Sequence, residues 1–338
     1  MYSLFRHFKT AFTGLVMTAV AVSALTSCDA IYDDMDPCPE GAELRFVYDY
    51  NMEFANAFPS QVKCLTVLVY DDKGHYVTTI TETSDVMADE DWRMKIDLPA
   101  GSYRFIAYGG MACDQASFQF APTPGVNVGM TDVNVDMKSG LLTSPYSKQL
   151  HHLFYGALDL DIEAETPTYT TGTVRMMKDT NNLRIVLQNN NGKALKADDF
   201  TFRLTDANTS FDWQNNLIAT PAVTYCPWVT GESFTGITDA GDDWTTAYAE
   251  FSTSRLVENS DARLTITRVS DGREVFSVPL IRFLLMLKSQ EFDYMGAQEF
   301  LDRESTWNMI FFLDNSEGWI QAQIMINGWI VRINDISI

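Results

Sequence analysis

The stretch that decides the fold is residues 62–70, VKCLTVLVY, a near-continuous apolar run. It leads into Asp71-Asp72-Lys73-Gly74, where the glycine can adopt the positive φ of a tight turn. Residues 75–81 then continue as a second short segment with branched side chains. Two such segments around a turn predict a β-hairpin. We therefore expect a β-protein whose sheet is built around this hairpin.

The same pattern extends in both directions from the hairpin. Residues 92–98 and 102–108 alternate apolar and polar side chains around a Pro-Ala-Gly turn, and residues 44–50 and 151–161 also have strand character. Successive side chains of a strand point to opposite faces, so this alternation is typical of strands with one buried face. Many short strands separated by turns predict an antiparallel β-sandwich.

A second unit of the same type follows a polar, threonine-rich segment at residues 163–173, where we place the domain boundary. Strand-like segments then recur, and Asp271-Gly272 between two of them is a strong hairpin signal. Residues 280–302 differ, because their apolar side chains recur mostly at helical intervals. The sequence thus predicts an all-β fold with one helical connection in its second domain, the two sandwiches occupying residues 43–165 and 166–338.

The end of the chain, residues 319–338, alternates almost strictly between apolar and polar side chains. Asn327-Gly328 interrupts the alternation and can fold the final segment back as a hairpin. An unpaired apolar strand at a chain end tends to pair with another chain, so two interpretations stay open. The final strand either completes the second sandwich or contacts a partner protein. The candidate contact residues are Trp329, Val331, Ile333, Ile336 and Ile338.

The first 27 residues have the organisation of a lipoprotein signal peptide. Arg6 and Lys9 precede an uncharged run at residues 11–25, which is shorter than the roughly 20 residues that a membrane-spanning helix needs. Leu25-Thr26-Ser27-Cys28 then resembles the lipobox, at which bacterial lipoproteins are acylated and cut. We therefore predict lipid attachment at Cys28, followed by an acidic tether over residues 28–42. Two or three acyl chains hold a protein durably on a membrane, whereas one chain holds it only marginally.

Composition and motifs exclude several classes of function. The formal net charge of −21 disfavours nucleic acid, whose phosphates carry the same sign. The sequence carries no motif for catalysis, nucleotide binding or zinc, so we expect no catalytic residue, no cofactor, no metal and no small-molecule substrate. Four cysteines remain besides Cys28, and an exported protein can either pair them or bury them as free thiols: Cys38, Cys64, Cys113 and Cys226.

Several segments, in this order, resemble the fimbrial anchor lipoproteins of Bacteroidetes, the FimB-type subunits of fimbriae. They are Cys28 with the following Tyr32-Asp33-Asp34 and Asp36-Pro37-Cys38-Pro39, then residues 44–52 (LRFVYDYNM), 98–103 (LPAGSY), 300–304 (FLDRE) and 326–329 (INGW). The resemblance implies two transthyretin-like sandwiches. It also implies a surface-exposed, lipid-anchored protein that holds a fimbria to the outer membrane, limits its length and contacts the shaft subunit through a strand.

The resemblance bears on the N-terminal strand as well, because anchors keep this strand whereas shaft subunits carry a protease-sensitive arginine in the region. Arg45 lies inside the strand predicted at residues 44–50, so we interpret it as structural. Two other functions stay open. One is an accessory or tip subunit of a fimbria, and the other is a surface lipoprotein that binds glycans through Trp228 or Trp244.

Overall fold

The computed structural model describes residues 40–164, 168–237, 241, 243–286, 288, 292–314, 319–326 and 329–333. Cys28, Cys38, Ile336 and Ile338 lie outside these residues, as do the predicted signal peptide and most of the tether. Among the helices that the structure describes, none is long and apolar enough to cross a membrane.

Strands are the main regular element of the described chain. The N-terminal strands are β1 (Gly41–Val47), β2 (Leu65–Asp71), β3 (Tyr76–Glu82), β4 (Met94–Asp97), β5 (Gly101–Gly109), β6 (Phe118–Ala121), β7 (Asn134–Met137), β8 (Phe154–Ile162) and β9 (Thr170–Lys178). The C-terminal strands are β10 (Thr180–Asn189), β11 (Phe200–Asp206), β12 (Ser210–Phe211), β13 (Val223–Tyr225), β14 (Val229–Ile237), β15 (Asp243–Ser254), β16 (Arg263–Arg268), β17 (Glu274–Pro279), β18 (Thr306–Leu313), β19 (Trp319–Ile326) and β20 (Trp329–Ile333). Short helices also occur, namely α1 (Phe58–Gln61), α2 (Leu280–Leu285) and α3 (Ala297–Arg303), together with 3₁₀ turns at Asp85–Ala88, Met130–Asp132 and Ala197–Asp199.

The N-terminal domain is one seven-stranded sheet, in the order β3-β2-β5-β8-β9-β1-β4, that folds over on itself. The bend lies between β8 and β9, which pair only through three residues, at the start of β8 and the end of β9. Side chains from the two halves, such as Leu44 and Val174 on one side and Val67 and Phe105 on the other, share one buried cluster. The sheet therefore closes into the sandwich that the strand pattern predicts.

The C-terminal domain places two sheets face to face. A six-stranded sheet in the order β14-β15-β10-β18-β19-β20 packs on a four-stranded sheet in the order β13-β11-β16-β17. The rings of Phe276 and Phe311, from opposite sheets, stack with centroids 4.3 Å apart. The all-β architecture of two sandwiches is thus confirmed.

Each sandwich contains one parallel pair of strands, which the prediction of purely antiparallel sheets did not include. β1 runs parallel to β9, and β10 runs parallel to β18. Parallel strands need a long connection: β1 and β9 are the first and last strands of the N-terminal sheet, and all strands of the four-stranded sheet lie between β10 and β18 in the chain. The pairing therefore depends on the whole domain rather than on any local sequence signal.

The predicted boundary at residue 165 is wrong by about one strand. The threonine-rich segment leads directly into β9, which pairs with β1 and β8 of the N-terminal sheet. The next strand, β10, belongs to the C-terminal domain, so the two sheets divide at Asp179. Threonine is a favourable strand residue, and a polar run rich in it need not be a linker.

The helical pattern at residues 280–302 forms two short helices, both of them within the one connection, from β17 to β18, that the sequence predicts to be helical. α2 follows β17 directly, and α3 is preceded by Gly296. Glycine is a poor helix former, and a new helix begins only after it.

The two sandwiches share apolar packing because both faces of β2 are buried. Leu65, Val67 and Val69 point into the N-terminal core. Leu68 and Tyr70 point the other way, into a cluster that continues without a break into the C-terminal domain. A small sheet of β6, β7 and β12 lies in the same cluster and pairs strands from both halves of the chain.

Candidate functional site

The final strand, β20, forms one edge of the six-stranded sheet. It pairs antiparallel with β19, from Trp329 opposite Ile326 to Ile333 opposite Ala322. The strands on either side of Asn327-Gly328 therefore form the hairpin that the sequence predicts. Three of the candidate contact residues, Trp329, Val331 and Ile333, lie on this strand. In the described part of the chain no strand pairs with the other side of β20, so its outer backbone groups are available to a partner strand.

The opposite edge of the same sheet is modified in a way that disfavours strand addition. β14 carries an irregularity between Phe234 and Gly236 in its register with β15. The Glu232 carboxylate accepts a hydrogen bond of 2.8 Å from the N–H of Ala197, in the neighbouring 3₁₀ turn. Bulges and covering loops are common devices that protect sheet edges from pairing with another chain. Of the two edges, β20 is the more suitable one for a partner.

The N-terminal strand β1 is an interior strand of its sheet, next to the edge strand β4. β4 pairs with one side of it and β9 with the other. Ala42, Leu44 and Phe46 are buried, whereas Arg45 is exposed and lies opposite Thr173 in the parallel ladder. The first sandwich therefore contains its own strand at this position and needs none from another subunit.

A cation–aromatic contact joins the two domains at α3. The guanidinium carbon of Arg303 lies 4.2 Å from the ring centroid of Tyr50 and 4.7 Å from that of Phe54. Glu299 accepts a hydrogen bond of 2.8 Å from the Arg303 Nε. Phe54 has a φ of 52°, which a bulky residue rarely adopts, so the contact fixes a strained loop.

Beneath this contact lies a buried ion pair. Arg255 donates to both carboxylate oxygens of Asp302, at 2.8 and 2.7 Å, and to the carbonyl of Asn215 at 2.8 Å. Asn215 in turn donates to Asp179 at 2.9 Å. Burial raises the pKa of Asp179 to about 7, and burial likewise raises the pKa of Glu304 to about 7. Two segments that marked the family resemblance, LRFVYDYNM and FLDRE, thus meet at the domain junction, although the sequence did not indicate that they would.

The cysteines divide into one pair and one free thiol in the described chain. Cys64 and Cys113 form a disulfide that ties the start of β2 to the loop after β5. Cys226, included in the possible disulfide set, is buried and unpaired. Cys38 and the predicted lipid-attachment residue Cys28 lie outside the described residues.

Comparison with known proteins relates the whole chain to fimbrial proteins. A family model described as fimbrillin-A associated anchor proteins Mfa1 and Mfa2 matches residues 35–335. The minor fimbrium anchoring subunit Mfa2 of Porphyromonas gingivalis is 23% identical over 348 residues, covering 96% of this chain and 97% of that protein.

Solved structures have the same fold. A "putative adhesin" from Bacteroides thetaiotaomicron is 50% identical, with a TM-score of 0.83 over 89% of this chain and 100% of that one. The fimbrial anchor protein Mfa2 from Porphyromonas gingivalis superposes with a TM-score of 0.66 at 16% identity, over 87% of this chain and 99% of that one. The match of the family model to nearly the whole sequence shows that this chain belongs to the fimbrillin-A associated anchor proteins.

Proposed function

We propose that this protein is an outer-membrane lipoprotein that anchors a fimbria to the cell surface and limits its length. In this proposal Cys28 carries the lipid, and the outer edge of β20 pairs with a strand of the shaft subunit. The observation that carries the proposal is the outer edge of β20, which no described strand covers; it is the last described strand of a chain whose N-terminal residues predict a lipoprotein signal. In strand addition, backbone hydrogen bonds supply affinity and alternate side chains supply register.

The closed first sandwich supports the length-limiting part. β1 already lies between β4 and β9, so a shaft subunit finds no empty strand position there. A subunit that can join the fimbria at only one end stops its growth at the other. The 13 residues from Cys28 to Glu40 allow the first sandwich to stand up to about 47 Å from the lipid, at roughly 3.6 Å per extended residue.

The strand contact is tested with a pair of neighbouring proline substitutions, Ile330→Pro and Val331→Pro. Successive N–H groups of a strand point to opposite sides, so one substitution removes a hydrogen bond to β19 and the other removes one from the outer edge. Proline is tolerated at an edge strand when its missing N–H faces outward. We expect one variant to melt near the wild-type temperature and yet lose co-purification with the shaft subunit.

The matched control is the same pair on the opposite edge, Ser233→Pro and Phe234→Pro in β14. Whichever of these folds normally should still bind the shaft. The proposed contact is wrong if every β20 variant that folds binds the shaft as the wild type does.

The lipid part is tested separately with Cys28→Ala. We expect the variant to leave the membrane fraction, to lose metabolic labelling with palmitate, and to release fimbriae into the medium. A variant that stays labelled and membrane-bound contradicts lipid attachment at Cys28, without affecting the strand contact.

A further inference from the structure

We infer that the outer face of the six-stranded sheet carries a binding site for one unit of a neutral saccharide. The site lies beside Trp228, around the Arg184–Glu250 ion pair, and is separate from the β20 edge. It adds a ligand to the protein and does not depend on the anchoring proposal.

The site is a cavity of about 270 Å³ over three adjacent strands. Arg184 of β10 lies opposite Glu250 of β15 on one side and Asn308 of β18 on the other. One step along the strands, Asn182 lies opposite Thr306. These polar side chains form the floor, while Trp228 and Gln149 contribute walls. Pockets for drug-sized ligands usually begin at roughly 300 Å³. This cavity is slightly smaller, so it has room for a single sugar ring of a longer chain.

The polar groups around the cavity are available to a ligand. Within the described chain, the amides of Gln149, Asn182 and Asn308, the hydroxyl of Thr306 and the indole N–H of Trp228 make no hydrogen bond. An amide both donates and accepts, as a sugar hydroxyl does. The face of an indole is apolar and flat, which matches the C–H face of a pyranose ring.

The one charged pair in the site is fixed before any ligand arrives. Arg184 donates to Glu250 at 2.9 Å, and its guanidinium carbon lies 4.3 Å from the ring centroid of Tyr248. The second carboxylate oxygen of Glu250 is left to accept from a hydroxyl. Because the two charges cancel, the site offers hydrogen bonds with direction and no net charge.

Other ligand classes fit the same site poorly. A peptide strand needs a free strand edge, but β10 is paired on both sides, with β15 and β18. A phosphate group needs an uncompensated cation, and Arg184 is neutralised by Glu250 in a protein of net charge −21. Trp244, the other tryptophan considered for glycan binding, does not line this cavity, and its indole N–H is buried.

The test uses the purified mature chain without its acyl groups. It is applied to an array of neutral and acidic oligosaccharides, and maltotriose, cellotriose, mannotriose and N,N′,N″-triacetylchitotriose are titrated individually. We expect at least one neutral glycan to bind more tightly than about 1 mM. Trp228→Ala and Asn182→Ala should each weaken that binding at least tenfold while leaving the melting temperature and shaft co-purification unchanged.

Phe234→Ala is the matched control, because Phe234 is an exposed aromatic side chain on the same sheet that does not line the cavity. It should bind as the wild type does. The inference is overturned if no neutral glycan binds, if binding is confined to acidic glycans or to peptides, or if Trp228→Ala and Asn182→Ala bind normally. Because shaft binding is measured on the same variants, loss of one activity is distinguishable from loss of the other.

Discussion

Arg303 is the residue through which α3 holds the N-terminal domain. Its guanidinium lies against both Tyr50 and Phe54, and its side chain is largely buried. A desolvated cation–aromatic contact contributes up to about 2 kcal/mol, considerably more than an exposed one. We expect Arg303→Ala to lower the free energy of unfolding by about 2 kcal/mol, measured by urea denaturation.

The comparison variant for Arg303 is Lys95→Ala. Lys95 also meets a carboxylate and an aromatic ring, Glu43 at 3.6 Å and Tyr169 at 5.3 Å, but it is mostly exposed to water. Exposed pairs contribute less than about 1 kcal/mol, so its removal should have a small effect. Equal losses in the two variants would mean that Arg303 does not join the domains.

Asp179 makes stability depend on pH near neutrality. Burial raises its pKa to about 7, against the nearby Arg255 and the Asn215 hydrogen bond, which lower it. A carboxyl whose folded pKa exceeds its unfolded pKa stabilises the fold fully below the unfolded value and loses that contribution as the pH rises through the folded value. As the pH rises from 5 to 8, the free energy of unfolding of the wild type should therefore fall, and that of Asp179→Asn should fall less.

Other titrating groups also make the stability depend on pH, and their contributions must be distinguished from that of Asp179. Glu304 acts in the same direction, since burial raises its pKa to about 7. His152 acts in the opposite direction below pH 6.5, because burial lowers its pKa to about 4, and Lys178 acts only above about pH 8. The deciding quantity is thus the difference in the free energy of unfolding between the wild type and Asp179→Asn at each pH. A pH-independent difference would contradict a titration of Asp179 in this range.

At the scale of elements, β1 depends on a glycine at its first position. Gly41 has a φ of +145°, and a Cβ there would lie 2.0 Å from the Ile96 carbonyl oxygen of β4. Gly41→Val should therefore separate β1 from β4, at a cost of at least about 2 kcal/mol. β1 would then be an edge strand held only by its ladder with β9, so limited proteolysis with trypsin should cut after Arg45 in the variant and not in the wild type.

Gly125→Ala is the control for this substitution, since nothing lies within 4 Å of the added Cβ. It should resist trypsin at Arg45 as the wild type does. Cleavage after Arg45 in the unmodified folded protein would show that β1 is not held in the sheet, and would remove the support for a closed first sandwich.

The elements themselves were largely predictable, because strand periodicity and turn residues are local properties of the sequence. The apolar run at residues 62–70 predicts β2, and Asn327-Gly328 predicts the β19–β20 hairpin. The strand order was not predictable, since β1 meets β9 and β10 meets β18 across whole domains. For the same reason the sequence identified β20 as a strand but not as a sheet edge. The junction at Arg303 was missed too, because its partners lie about 250 residues earlier in the chain.

At the scale of the whole molecule, the two sandwiches share one apolar cluster. Leu68 and Tyr70 of β2 and Phe118 of β6 lie in the same buried cluster as the C-terminal core. Separation of the domains would expose these side chains to water, and each large apolar side chain costs about 1.5–3 kcal/mol when its burial is lost. In the proposed role, in which the protein bears load between a lipid and a fimbria, two domains that do not come apart would be an advantage.

This shared cluster predicts a single cooperative unfolding transition for the full chain. Differential scanning calorimetry of the lipid-free protein should give one endotherm whose calorimetric and van't Hoff enthalpies agree, the usual criterion for two-state unfolding. Phe211→Ala should weaken the coupling between the two sandwiches. The ring centroids of Phe211, on β12, and Phe118, on β6, lie 6.4 Å apart in the small sheet that joins the two halves of the chain. A buried phenylalanine costs about 3–5 kcal/mol when truncated, enough to broaden or split the endotherm. Two well-separated transitions in the wild type would mean that the sandwiches unfold independently, and that the cluster does not make them one mechanical unit.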